Sequence, residues 1–328
     1  MKAALLFQVD GKLPNVALMR IASHHRALGH DVELRVSARP SLGMFDSPDF
    51  VYASAIFTRS MQAMEELRRQ CPSAIMGGTG WSVASSLPSV GIYARELDYS
   101  IYPRFQHSIG FTQRGCRLKC KFCVVPEKEG AVAEDLSPWE IWRGDPYPKN
   151  LILLDNDFFG QPRWKDRIGE IRDGGFKVSF CQGINARFLT DETAEAIGSI
   201  EYRDDQFQTK RIYTAWDNAK DEARLFAGLS LLVKYGVKPD HIMVYTLIGF
   251  WPGETDTDWD YRRARLRDFG ARPYPMPFAR SALAVGFQRF VVGAYDKRFT
   301  WEQWKDAHCR PEKLRSYETV AMLVGGAD

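Results

Sequence analysis

Three thiols, Cys116, Cys120 and Cys123, fall within the nine-residue stretch GCRLKCKFC (115–123). They are half of the six cysteines in a chain of 328 residues. Thiolates bind soft metals, and six cysteines are too few and too clustered for a disulfide framework, so the cluster reads as a metal site. Three is an informative number. A structural zinc centre closes a tetrahedron with four ligands, and an electron-transfer [4Fe–4S] cluster also takes four thiolates. No histidine or fourth cysteine follows within zinc-finger distance, and Cys71, Cys181 and Cys309 are isolated. Three thiolates on a four-iron cluster leave one iron open, and a reactive metal centre requires an open position. Two other readings stay open on spacing alone: an iron–sulfur redox sensor that borrows Cys181 or Cys309, and a structural zinc protein.

The surrounding elements alternate between strand and helix, which predicts an α/β chain. Strands are expected at 2–8, 31–36, 49–57 and 73–80, with helices at 14–29 and 60–71. Asn15 is the expected N-cap of the first helix and Gly29 its stop. This first unit, 1–95, is expected as a doubly wound parallel-sheet domain, followed by a linker at 96–106. Six more strands are expected at 107–113, 150–157, 177–183, 211–217, 241–250 and 272–278. Helices at 164–175, 191–200 and 221–236 lie between them, and a helical extension fills 279–328. Ligands of parallel α/β folds bind beyond the carboxyl ends of the strands. That rule gathers Asp155, Asn156, Asp157, Gln182, Asp217 and Gly249. Asn185 and Arg187 follow Gln182, and the planar fork of Arg187 could serve a ligand carboxylate or a structural aspartate equally.

Hydrophobic residues make up 45%, charged residues 26%, and the net charge is +3, an ordinary globular balance. No apolar run approaches the ~20 residues of a membrane helix. The opening apolar run stops at Asp10 without a cleavage pattern, so a cytoplasmic protein without membrane contact is expected. The basic run 261–270 reads as a solvated helix face with Leu266 and Phe269 turned inward. Cys71, Cys181 and Cys309 read as small buried hydrophobes.

With Phe122 directly before the last thiol, the cysteine motif resembles the signature of the radical S-adenosylmethionine (SAM) superfamily. The resemblance implies a [4Fe–4S] cluster on Cys116, Cys120 and Cys123, with the open iron chelated by the amino and carboxylate groups of SAM. One electron would cleave the sulfonium bond to the 5′ carbon, and the 5′-deoxyadenosyl radical would take hydrogen from a substrate. It also implies a partial (β/α)6 barrel over 107–278, with the cysteine loop after its first strand. GFWPGET (249–255) is similar to the turn after the fifth strand of several branches. By the same resemblance Asp155, Asn156 and Asp157 would meet the SAM amino group and Asp217 the ribose. Phe122, Met276 and Phe278 would border the adenine, and Gln182 and Arg187 would face the barrel mouth. Glu127, Lys128 and Glu129 would reach SAM or substrate, or belong to a solvated loop held by Pro126 and Gly130.

Residues 1–95 resemble the cobalamin-binding-like domain fused to many radical SAM proteins. The lower-ligand histidine of the motif D-x-H-x-x-G is missing from VDGKLPN (9–15), and His24 and His25 read as surface or packing residues. Cobalamin is therefore expected to be absent or bound without a histidine. An electron donor such as flavodoxin or ferredoxin is implied. The substrate is unidentified, with a nucleotide, a nucleic-acid base or a peptide open. Hydrogen-abstraction or isomerase chemistry is favoured over cobalamin-dependent methyl transfer.

Overall fold

The structure, a computed structural model, describes residues 2–309. The expected helical stretch at 313–324 lies outside the described residues. The chain is α/β with parallel sheets, and contacts divide it into two compact units. One comprises 2–110, 115–132 and 141–148; the other comprises 111–114, 133–140 and 149–309.

The first unit begins with β1 (Ala3–Gln8), α1 (Val16–Ala27), β2 (Asp31–Val36), β3 (Phe50–Ser54), α2 (Met61–Gln70) and β4 (Ile75–Gly77). All pairings are parallel, in the order β2-β1-β3-β4. Alternate residues of β1 serve opposite faces, because side chains of a strand alternate. Leu6 packs with Leu18, Ile21, Ala22 and Tyr52 beneath α1. Leu5, Phe7 and Val9 pack with Val51, Ala53, Met64 and Leu67 beneath α2. Each Leu, Ile, Val, Phe or Met among them, fully buried, contributes about 1.5–3 kcal/mol. Asn15 caps α1 as expected, its Oδ1 accepting from the N–H groups of Ala17 and Leu18. The glycines after β4 serve the turn itself: a Cβ on Gly78 would stand 2.1 Å from the Ala55 carbonyl oxygen.

Later elements are β5 (Ser108–Gly110), β6 (Gln113–Arg114), α3 (Val125–Lys128), β7 (Ala133–Glu134), α4 (Pro138–Ile141), β8 (Asn150–Leu153), α5 (Trp164–Asp173), β9 (Lys177–Phe180), α6 (Asp191–Gly198) and β10 (Glu201–Tyr202). They are followed by β11 (Ile212–Trp216), α7 (Glu222–Lys234), β12 (Ile242–Ile248), α8 (Asp256–Phe269), β13 (Arg272–Pro277), α9 (Ala282–Val292) and α10 (Trp301–His308). The strand expected over 107–113 is broken after Gly110. Beyond the break, β6 pairs antiparallel with β7, while the N–H and hydroxyl of Thr112 go to Asp155.

In the second unit β8, β9 and β10 form one parallel sheet and β11, β12 and β13 another. The loop after β9 joins them, with Ile184 N donating to Tyr213 O at 2.8 Å. One face of β11–β13 is fully buried: Ile212, Thr214, Trp216, Val244, Thr246 and Ile248. The prolines at 273, 275 and 277 are tolerated because β13 is an edge strand. They occupy alternate positions, so the N–H groups between them still face β12, as Phe278 N shows by donating to Ile248 O at 3.0 Å. Beyond β12 a core of Ile248, Trp259, Phe287, Phe290, Trp301 and Trp304 joins α8, α9 and α10. Among the described residues no helix is long and apolar enough to cross a membrane.

The basic run at 261–270 departs from a solvated face. Leu266 is buried, but so is Arg262, at 1% exposure. Its guanidinium is held by the Glu254 carboxylate and donates to Trp216 O at 3.1 Å.

Candidate functional site

The cysteine loop belongs to the first unit and is closed by backbone geometry. Gly115 adopts φ +75°, and a Cβ there would lie 2.2 Å from Ala131 O. Its N–H donates to Glu129 Oε2 at 2.9 Å, and Cys116 N donates to Gly130 O at 3.3 Å. Cys123 N donates to Cys120 O at 3.0 Å, and Leu118 N donates to Cys116 Sγ at 3.4 Å. Cys116, Cys120 and Cys123 are in no disulfide and all three are half-buried, as is Phe122.

The α3 segment after the loop supplies the clasp. Lys128 Nζ donates to Val83 O at 3.1 Å and also to Ser85 O, and Glu129 is occupied with Gly115. Of the three charged residues expected to face a ligand, Glu127 is the exposed one. Partly exposed thiols with a backbone donor on sulfur are groups that can serve as soft-metal ligands. Among the described residues no three Cys, His, Asp or Glu side chains are gathered into a group that could hold a metal ion. The loop therefore offers thiol donors and backbone closure without an assembled coordination shell.

The remaining expected residues belong to the second unit. Asp155, 3% exposed, follows β8 and takes the Thr112 N–H on Oδ1 at 2.8 Å and the Thr112 hydroxyl on Oδ2. Burial pushes its carboxyl up to about 7, against the pull of the Thr112 hydrogen bonds. Gln161 Nε2 donates to the same Thr112 hydroxyl at 3.0 Å. Asn156 is half-buried, and Asp157 is buried with its N–H 3.4 Å from Gln113 Oε1. Gln182 is exposed.

A second cluster forms at the carboxyl ends of β11 and β12. Burial raises the Asp217 carboxyl to about 6, opposed by the charges of Arg187 and Arg262. Arg187 is engaged within the unit, with Nε on Asn185 Oδ1 at 3.0 Å and Nη1 on Asp221 Oδ2 at 2.5 Å. The structural aspartate is thus the partner seen for its fork. Gly249 N donates to Glu254 Oε2 at 2.7 Å, and the other carboxylate oxygen holds Arg262. Trp251 Nε1 donates to Asp217 O at 2.6 Å. The GFWPGET turn is therefore closed by its own glutamate. Met276 and Phe278 are 44% and 55% exposed, and the Phe278 ring lies 4.7 Å from that of Phe250.

Glu254 and Arg262 escaped the sequence reading. A signal was present: Trp259, Arg262 and Leu266 lie at helical spacing on the buried side of α8.

No protein-family profile matches the chain, and no curated protein matches it. A crystal structure of a variant of the protein SsGBP aligns at 10% identity over 90% of this chain and 95% of that one. Its TM-score is 0.17, too low to indicate a shared architecture.

Proposed function

We propose that the chain is a radical SAM enzyme. The observation that carries this reading is the trio of half-buried thiols, none in a disulfide, at C-x3-C-x2-C spacing on a loop closed through Gly115 and Glu129. On this reading the chain combines a cobalamin-binding-like domain at 1–95, a partial (β/α)6 barrel at 107–278 and a helical C-terminal extension. Parallel strands linked by helices, with polar residues at their carboxyl ends, support it.

Cys116, Cys120 and Cys123 would hold a [4Fe–4S] cluster. Bound there, it supplies one-electron reductive cleavage of SAM, from which hydrogen abstraction follows. The chain's own contribution is placement. Glu129 and Gly130 fix the start of the thiol loop. Asp155 carries a buried carboxyl raised to about 7 and bound by Thr112. Burial raises a second carboxyl, that of Asp217, to about 6 against the charges of Arg187 and Arg262. The substrate carries the hydrogen to be abstracted and the electron donor is a flavodoxin or ferredoxin; cobalamin, if bound, lacks a histidine ligand.

The test is anaerobic reconstitution with iron and sulfide, then dithionite and SAM. About four irons per chain and formation of 5′-deoxyadenosine are expected. Zinc in place of iron, or a loaded protein that binds SAM yet never cleaves it under any reductant, overturns the reading. Loss of the cluster on substituting Cys181 or Cys309 would mark a four-thiolate sensor instead.

A further inference from the structure

We propose that the face of the β11–β13 sheet opposite its buried face carries a binding subsite for a cationic group, an alkylammonium or guanidinium, formed by Tyr213, Tyr245, Tyr274 and the carboxylate of Asp205. Register places the three rings together. Ala215 pairs with Tyr245 and Tyr245 with Tyr274, and Tyr213 shares the Ala215 face by strand alternation. The Tyr213 and Tyr245 rings stack at 5.8 Å with 4° between planes, and Tyr274 meets Tyr245 edge-on at 5.4 Å. The opposite pleat, Thr214, Trp216, Val244 and Thr246, is fully buried, whereas the three tyrosines are half-buried.

The phenol hydroxyls of this face and the Asp205 carboxylate lack hydrogen-bond partners among the described residues. None of the three phenol hydroxyls makes a hydrogen bond to the described residues, and the half-buried Asp205 carboxylate makes neither a hydrogen bond nor an ion pair there. Asp205 is held in place by its neighbours. Arg203 N donates to Val178 O at 2.8 Å, which carries the chain alongside β9. Asp204 then ties the loop shut, accepting from Gln208 N at 2.9 Å and from the Thr209 hydroxyl at 2.6 Å. Phe207 completes the turn at φ +58°. Burial raises the Tyr213, Tyr245 and Cys181 groups, and the Asp205 charge adds to it at each, with Arg211 opposing at Tyr213.

The cations at hand are drawn elsewhere. Arg211 and Arg272 both donate to Asp240 O, at 2.9 and 2.8 Å, at the amino end of the sheet. A half-buried carboxylate left without a partner is costly, and ring faces beside it attract positive charge. An ammonium or guanidinium satisfies the carboxylate, the ring faces and the hydroxyl oxygens at once. The subsite does not depend on whether the thiols hold a cluster.

The whole chain, with tyrosine rings labelled with carbon-13, is titrated with n-butylammonium, n-butylguanidinium and, as the neutral control, n-butanol. Saturable shifts of the three tyrosine signals with both cations, and not with the alcohol, are expected. Asp205→Asn should weaken cation binding by about fivefold, the scale of one such contact. Tyr245→Leu, made independently, should do the same and decides the matter if Asp205→Asn folds poorly. Butanol binding as tightly as the cations, no saturable cation shift, or undiminished cation affinity in both variants overturns the proposal.

Discussion

The carboxylate of Glu129 accepts the main-chain N–H of Gly115 at 2.9 Å, across 14 residues, and so closes the loop that carries all three clustered thiols. A buried or half-buried donor stripped of its acceptor costs about 1–3 kcal/mol. Glu129→Ala should therefore loosen the loop and lower the iron held after reconstitution, with Glu129→Gln milder because the amide oxygen still accepts. Gly115→Ala should be worse than either, since the added Cβ meets Ala131 O at 2.2 Å. Iron per chain across the three variants checks this order. Equal loading in all of them would sink the clasp.

Arg262 and Glu254 form a buried ion pair with side-chain exposures of 1% and 9%. Removing one partner leaves the other charged and desolvated, at a cost of about 3–5 kcal/mol. Glu254→Gln and Arg262→Met should each lower stability by that order, and the Gln–Met double variant by less than the sum of the two. Urea unfolding of the four proteins completes the cycle. Additive losses would mean that the two residues act independently.

Burial holds His25 down to about 4, with the charges of His24 and His30 adding to it. Its Nδ1 lies 2.9 Å from His30 Nδ1 and its Nε2 3.0 Å from the Tyr52 hydroxyl, so the pair has room for one shared proton and not two. The folded form is depressed below the unfolded 6.5, so the unfolded chain binds more protons between those values. The stability is present above 6.5 and is lost as pH falls through 4, on the order of 3 kcal/mol in full. Once the intrinsic pH dependence of exchange is subtracted, amide exchange within β1–β4 should accelerate on acidification over this window, and His25→Phe should flatten the response. An unchanged profile in that variant would point to other groups.

Much of this architecture is local and therefore visible in the residue pattern. Asn15 starts α1 because its side chain reaches only two and three residues ahead. β11 and β12 show their faces by alternation, and β13 shows its edge position by its prolines. What escaped the pattern depends on distant partners. The break between β5 and β6 follows from Thr112 giving its donors to Asp155, 43 residues on. Lys128 is drawn into the first unit by the carbonyl groups of Val83 and Ser85, some 45 and 43 residues back. Arg262 sits in a run of arginines whose exposure differs only because one of them meets Glu254. Spacing identified the thiols, but the carboxylate that clasps their loop read as a residue facing a ligand.

Asp155 supplies the opposite pH signature to His25. Its folded value of about 7 lies above the unfolded 3.8, so here the native state binds the extra proton. That contribution is fully present below 3.8 and is lost as pH rises through 7, on the order of 4 kcal/mol in full. Between 4 and 6.5 the two groups contribute slopes of opposite sign. Asp155→Asn keeps an oxygen for the Thr112 N–H and cannot ionise. Amide exchange within β8 and β9 should accelerate from pH 5 to 8 in the parent, an interval that spans the folded value of about 7, and should lose that extra acceleration in the variant, once the intrinsic pH dependence of exchange is subtracted. If the variant kept the parent's slope, the buried carboxyl would be excluded as its source.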